Sequence, residues 1–194
     1  MKSGNFEDGI RERLIIAGIK EIEKHGLNDF SFRRVASACE VSCAAPYRHY
    51  KNKEELVLSI ISYINSRWDM MAVQIENSFE GDAYKQLTEC AIGMIRFLGA
   101  NPNYISVMLP LSSGIGEKHL LERDKFWSCI EKLCETFHSE MNFEGEYLAD
   151  KIFLLRAFIS GTVMQLERMK REECERMIAL ARKEIDRIIL SAGY

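Results

Sequence analysis

Between residues 31 and 53 the chain sets Arg33, Arg34, Arg48, Lys51 and Lys53 against one carboxylate, that of Glu40. The same stretch holds Tyr47, His49 and Tyr50. Guanidinium and ammonium groups this close together suit a polyanion. A guanidinium can also grip two acceptors on a base edge, and an aromatic ring packs against sugars and bases. The rest of the chain has the opposite sign, since residues 56–194 hold 16 basic and 20 acidic side chains. A compact basic segment on an acidic chain of net charge −3 is the footprint of a localised polyanion surface. On composition alone, a solvated helix face with chance charge explains it equally well.

Other chemistry finds little support. Cys39, Cys43, Cys90, Cys129, Cys134 and Cys174 form no C-x-x-C pair and no zinc-type spacing with histidine, so they read as free thiols. Glu135 and His138 match one half of the ligand set of a di-iron bundle, but no other histidine has an acid three positions upstream. No nucleophile-base pair or phosphate loop is evident, so the chain reads as a non-enzyme needing no metal and no cofactor. With 47% hydrophobic and 28% charged residues and only three prolines, the composition is that of a helix-biased globular protein. No apolar stretch approaches a membrane span, and the first residues lack the apolar core of a signal peptide, which implies a cytoplasmic protein with no membrane partner.

The elements that must position the basic segment follow from helical periodicity, which recurs throughout without any alternating strand pattern. A first helix is predicted from about Asp8 to His25, with Ile10, Leu14, Ala17, Gly18 and Ile22 on one side and Gly26 just past its end. Ser31 caps a second helix over 32–39, and Glu40-Val41-Ser42 is short enough only for a tight turn. Ser42 then caps a short third helix. Counted from that cap, Pro46 is the fourth helical residue; the alternative is a helix that begins at Pro46 itself. Asn52 caps a long fourth helix carrying Leu56, Ile60, Ile64 and Trp68. Further helices are expected over 82–98, from 103 to Pro110, 117–141, 145 to about 171 and 173–191, with a Ser/Gly loop over 111–116.

Two short helices joined by a three-residue turn make a helix-turn-helix, whose second member enters the major groove. The composition fits that task. Ser42 leads the helix, and Cys43, Ala44 and Ala45 are small enough for close approach. Tyr47 and Arg48 are long enough to reach base edges. Val35, Ala38, Val41 and Tyr50 are the expected inward anchor, while His49 and Lys53 flank the helix where phosphates would lie.

Residues 10–60 resemble the DNA-binding domain of TetR/AcrR-type regulators. The likeness rests on the Gly26 helix end, Ser31-Phe-Arg-Arg-Val-Ala36, Val41-Ser42, Tyr47-Arg-His-Tyr50 and Lys51-Asn-Lys-Glu-Glu-Leu56. It implies an all-α protein: a three-helix helix-turn-helix domain over 1–52 and a helical effector-binding and dimerisation domain over 53–194. It assigns Arg33 to a base, Cys43, Ala44, Tyr47 and Arg48 to the groove, and Ser31, His49 and Lys53 to phosphates. The chain departs from the family at Pro46, where an aliphatic residue is more usual. The implied function is a ligand-responsive transcriptional regulator, read here as a repressor on a palindromic operator. The rival reading is a helical small-molecule-binding protein or enzyme that does not bind DNA.

The later helices agree with a dimer. Residues 152–166 are apolar almost all round, so that helix needs cover on two sides. Ile178, Ala181, Ile185 and Ile188 form a seam on the last helix, which fits a four-helix interface in a homodimer. Aromatic and methionine residues are plentiful in this half and mostly core. Phe97, Tyr104, Met108, Trp127 and Phe153 are the candidates for lining an effector cavity, with Arg156 either anchoring an acidic group or paired with a neighbouring carboxylate.

Overall fold

The computed structural model describes residues 4–109, 116–141 and 146–191, all helix, turn and loop with no strand among them. The chain divides into two compact units, one of residues 1–66 with 103–123, the other of 67–102 with 124–194. The helix α4 (Lys53–Ser78) contributes residues to both.

In the first unit α1 (Gly4–His25) buries Leu14, Gly18, Ile19, Glu21 and Ile22. It ends at Gly26, whose φ of +72° is the left-handed position a side chain resists. Gly18 serves a different need. A Cβ there would lie 2.6 Å from Ile60 Cδ1, so its bare backbone lets α1 pack close to α4. α2 (Phe32–Ala38) turns Phe32, Val35 and Ala36 inward, together with Cys39 just beyond its end. Their spacing is i, i+3, i+4, i+7, so Ala36 takes the core place expected for Ala38, which is exposed. Arg13 of α1 donates to the Cys39 carbonyl, and the Cys39 thiol donates to the Arg13 carbonyl at 3.4 Å, which pins the end of α2 to α1.

The turn into α3 (Ala45–His49) differs from expectation at its cap. The Ser42 side chain does not cap the helix. Ala44 is the N-cap, the Ala45 N–H donates to the Ser42 carbonyl at 2.9 Å, and Pro46 sits in the first turn. A first-turn proline loses no helical hydrogen bond and brings a ready-made φ, so the alternative of a start beside Pro46 is the nearer one. Glu40 holds φ +55° in the preceding turn, a region a side chain with a Cβ enters at a cost. Glu40→Gly is expected to raise stability by about 1 kcal/mol, net of glycine's greater unfolded-state freedom. Thermal unfolding of the two proteins checks this; an unchanged or lower Tm refutes it.

Asn52 caps α4 as expected, accepting from the Glu55 N–H at 2.9 Å, while the Glu55 carboxylate accepts from the Lys51 N–H at 2.7 Å. Leu56, Ile60 and Ile64 of α4 are fully buried. α6 (Pro102–Met108) follows in the same unit from residue 103. α7 (Glu117–Asp124) is tied to α4 by two polar contacts: His119 Nε2 at 3.1 Å from the Glu54 carbonyl, and Asn65 Nδ2 donating to the Glu122 carbonyl at 2.7 Å. The Ser/Gly loop expected over 111–116 and Pro110 lie outside the described residues, but for Gly116.

The second unit is built around α5 (Ala83–Ala100), capped by Asp82, which accepts from the Lys85 N–H at 3.0 Å. α5 packs on α8 (Ser128–Met141), α9 (Glu146–Leu166) and α10 (Arg171–Leu190). Trp68 is fully buried, with ring centroids of Phe97 and Phe126 at 5.7 and 5.9 Å. The single helix expected over 117–141 is in fact broken by a 3-10 turn over Lys125–Trp127, where two consecutive large rings, Phe126 and Trp127, are both buried. Two neighbours 100° apart on an α-helix do not easily share one buried face, and tightening the turn accommodates them. The boundary expected near 170–173 is a short connection ahead of Arg171, and the polar break at 142–145 lies outside the described residues. Among the described residues no helix is long and apolar enough to cross a membrane, and no cluster of three His, Cys, Asp or Glu side chains could hold a metal ion.

Candidate nucleic-acid interface

The short α3 stands on a buried floor. Pro46 and Tyr50 point inward, and Phe32 of α2 lies beneath Tyr47, their rings edge to face at 4.8 Å and 73°. That contact holds the base of the Tyr47 side chain while 61% of it stays exposed. Arg48 next to it is exposed, as are Ser42, Cys43 and Ala44 at the leading end. Arg33 is exposed on α2, in the position of a second long donor. His49 is half-buried behind Arg48. The structure thus brings Arg33, Tyr47 and Arg48 out to solvent on one unit, with small residues where a backbone would approach a groove.

Two of the expected phosphate contacts are engaged within the protein. Ser31 does not cap α2 through its side chain; its N–H donates to Glu21 Oε1 at 3.1 Å. Lys53 donates to the Leu27 carbonyl and lies 6.0 Å from the Phe30 ring centroid. It therefore closes the loop after α1 as well as contributing charge.

Sequence reasoning missed the node that aims α2. Glu21 is only 7% exposed, yet it accepts from Arg34 Nε at 2.7 Å and Nη2 at 2.6 Å as well as from Ser31. Arg34 also donates to the Asp29 carbonyl. The hydrogen bond it donates to Glu21 holds the Arg34 guanidinium above its usual pKa, with the nearby carboxylate charges adding to it. Arg34, one of the charges of the basic segment, is thus a brace between α1 and α2. A buried acid in an otherwise apolar α1 stripe was the available signal, and it needed a basic partner from elsewhere in the chain.

The effector candidates belong to both units. Tyr104 and Met108 are buried in the first unit, whereas Phe97 and Trp127 are buried in the second. Phe153 is 69% exposed. Arg156 follows the paired alternative: it bonds Asp124 at 2.8 Å and Glu131 at 3.1 Å, with its guanidinium 5.2 Å from the Trp127 ring centroid. None of the six lines either of two hollows described in the second unit. One, of about 550 Å³, opens among Arg96, Gly99, Pro102, Met169, Arg171 and Cys174. The other, about 470 Å³ and almost wholly apolar, lies along α9 and α10 among Phe158, Gly161, Gln165, Met177 and Leu180.

That second hollow belongs to an uncovered apolar face. On α9 the core takes Leu155, Ile159, Val163 and Leu166, leaving Phe153, Ala157, Gly161 and Met164 outside. On α10 the inward stripe is Ile178, Ala181, Ile185 and Ile189, with Ile188 only half-buried. The seam expected to face a partner thus serves the subunit's own core, and the outward face is carried by Met177, Leu180 and their α9 neighbours.

Known proteins resemble the chain in its amino-terminal segment and in its fold. Residues 14–60 match the family model described as "Bacterial regulatory proteins, tetR family". A curated relative, the uncharacterized HTH-type transcriptional regulator YerO of Bacillus subtilis (strain 168), is 31% identical over 83 residues; the match spans 43% of this chain and 29% of that regulator's length. Among solved structures, FadR of Bacillus subtilis in complex with stearoyl-CoA is similar with TM-score 0.72 at 14% identity, covering 94% of this chain and 99% of that one. The fatty acid degradation regulator FadR of Bacillus halodurans gives 0.74 at 17% identity, covering 93% and 94%. PfmR of Thermus thermophilus, a TetR family regulator, gives 0.69 at 19% identity, covering 95% and 96%. At these identities the likeness is one of fold.

Proposed function

We propose that this chain, a TetR-family protein by its amino-terminal domain and its fold, is a homodimeric transcriptional regulator, a repressor that a small-molecule effector releases from a palindromic operator. The observation that carries the reading is the exposed set Arg33, Tyr47 and Arg48, held out from a buried floor inside the segment that matches the family. Residues 1–52 act as the reading head and residues 53–194 as the effector and dimerisation body. Arg33 grips guanine O6 and N7, Tyr47 and Arg48 reach base edges, and Cys43 and Ala44 permit close approach. Ser31, Ser42, His49 and Lys53 contact phosphates, Lys53 by leaving the Leu27 carbonyl.

A single five-residue helix buries too little surface to find one site in a genome, so two heads about one DNA turn apart are required. The uncovered α9–α10 face supports a second copy as its occupant. The effector acts by binding the non-operator conformation better than the operator-bound one, which shifts the population away from DNA. Two of the similar folds are named FadR, one described as a fatty acid degradation regulator and the other in complex with stearoyl-CoA, so long-chain acyl-CoA is the first effector class to try.

The test is a titration of fluorescent DNA from upstream of the gene at several salt concentrations. With about six phosphates neutralised per dimer, log K falls against log salt with a slope of roughly −5. Stearoyl-CoA then lowers the anisotropy of the complex. A flat salt dependence contradicts the DNA reading, and release by no acyl-CoA contradicts the effector class alone.

A further inference from the structure

In the second unit, Cys90 of α5 and Cys129 in the first turn of α8 face each other with Sγ atoms 3.3 Å apart. A disulfide needs about 2.05 Å, so a shift of little more than an ångström joins them. A pair of thiols at this distance on two packed helices is a different object from a lone buried cysteine. Cys90 is wholly enclosed and Cys129 is 8% exposed, so a reagent meets Cys129 first. Above Cys129 lies Glu76, its Oε1 3.6 Å from the sulfur, and Lys132 holds the same carboxylate from the outside at 2.8 Å. A base therefore stands between this thiol and solvent.

From this geometry we infer that Cys90 and Cys129 form a reversible oxidation site, closed to an intramolecular disulfide by hydroperoxides. The steps balance. Glu76 takes the Cys129 proton, the sulfur attacks one peroxide oxygen, and water leaves once the departing hydroxide is protonated, which gives a sulfenic acid. The Cys90 sulfur then attacks the sulfenic sulfur, its proton leaving with the hydroxyl as a second water. Two thiols and one hydrogen peroxide become one disulfide and two waters. The hydrogen bond with Cys90, together with burial, pushes the Cys129 thiol well above its ordinary pKa. The reaction is accordingly slow at neutral pH and faster as pH rises.

The cross-link has a built-in reporter. Cys129 lies two residues past the 3-10 turn that carries Phe126 and Trp127, and Phe126 packs on Trp68; Trp68 and Trp127 are the chain's two tryptophans. Closing the disulfide draws this turn toward α5 and changes tryptophan emission.

The test treats the full-length protein with hydrogen peroxide and follows it by intact mass, peptide mapping and fluorescence. The expected product is lighter by two hydrogen atoms, maps to a Cys90–Cys129 cross-link, shows altered tryptophan emission, and reverts with dithiothreitol. Cys90→Ala and Cys129→Ala each abolish the link, while Cys43→Ser, which removes the exposed thiol, preserves it in a protein whose fold is not in question. A link between other cysteines, irreversible oxygen addition, or unreacted Cys90 and Cys129 after prolonged exposure each overturns the inference.

Discussion

Leu180→Glu is expected to turn the protein into a folded monomer that has lost operator affinity by roughly a thousandfold, because a charge placed inside an apolar interface costs several kcal/mol. Leu180 sits on α10 at 50% exposure, at the edge of the apolar hollow that Phe158, Gly161 and Met177 help to line. The change leaves the inward stripe of Ile178, Ala181, Ile185 and Ile189 untouched, so the subunit keeps its core and its melting cooperativity. What it removes is the joining of two heads, and with it the product of two half-site affinities. Analytical ultracentrifugation and anisotropy on the same samples check both halves. A variant that stays dimeric with full affinity shows that α9 and α10 are not the interface.

Arg33→Ala and Tyr47→Ala are expected to act differently, lowering preference for the operator over random DNA by about 10- to 100-fold each, the worth of one good base contact. Both side chains are exposed, so the fold should tolerate their loss, although Tyr47→Ala also removes the edge-to-face contact with Phe32. Binding to random DNA should persist, because Arg48, Lys51 and the rest of the basic fringe remain. Lys51→Ala is the matched control: an exposed charge of the basic segment outside the base-reading set, whose removal weakens all sequences alike. Competition titrations with operator and scrambled duplexes separate the two patterns. If Arg33→Ala weakens both duplexes equally, Arg33 is a phosphate contact and not a reader.

The amino-terminal helices were legible because their signals are local. Gly26 past α1, Asn52 before α4 and the i, i+3, i+4 stripes each depend on neighbours within a turn or two. The α3 start stays open between two readings in the sequence because Ser42 and Pro46 each announce a helix start, and only the geometry at Ala44 shows that the proline prevails. What escaped reading was settled by distant partners. Glu21 meets Arg34 and Ser31 across a turn, His119 meets the Glu54 carbonyl 65 residues away, and Cys129 meets Cys90 across 39. The apolar pattern of α9 and α10 likewise announced two buried faces without saying which face belonged to the subunit's own core. Effector residues carry no local signal of this kind. Large apolar side chains at helical spacing look alike whether they fill a core or line a cavity, and Arg156 follows the paired alternative with Asp124 and Glu131.

The most direct trial of the DNA-reading head is footprinting of purified protein on the DNA upstream of its own gene at low salt. Two protected half-sites related by a dyad, centred about one helical turn apart and lost together in Leu180→Glu, are the expected result. An unprotected duplex at the lowest salt, or protection of a lone half-site by the intact protein, contradicts it.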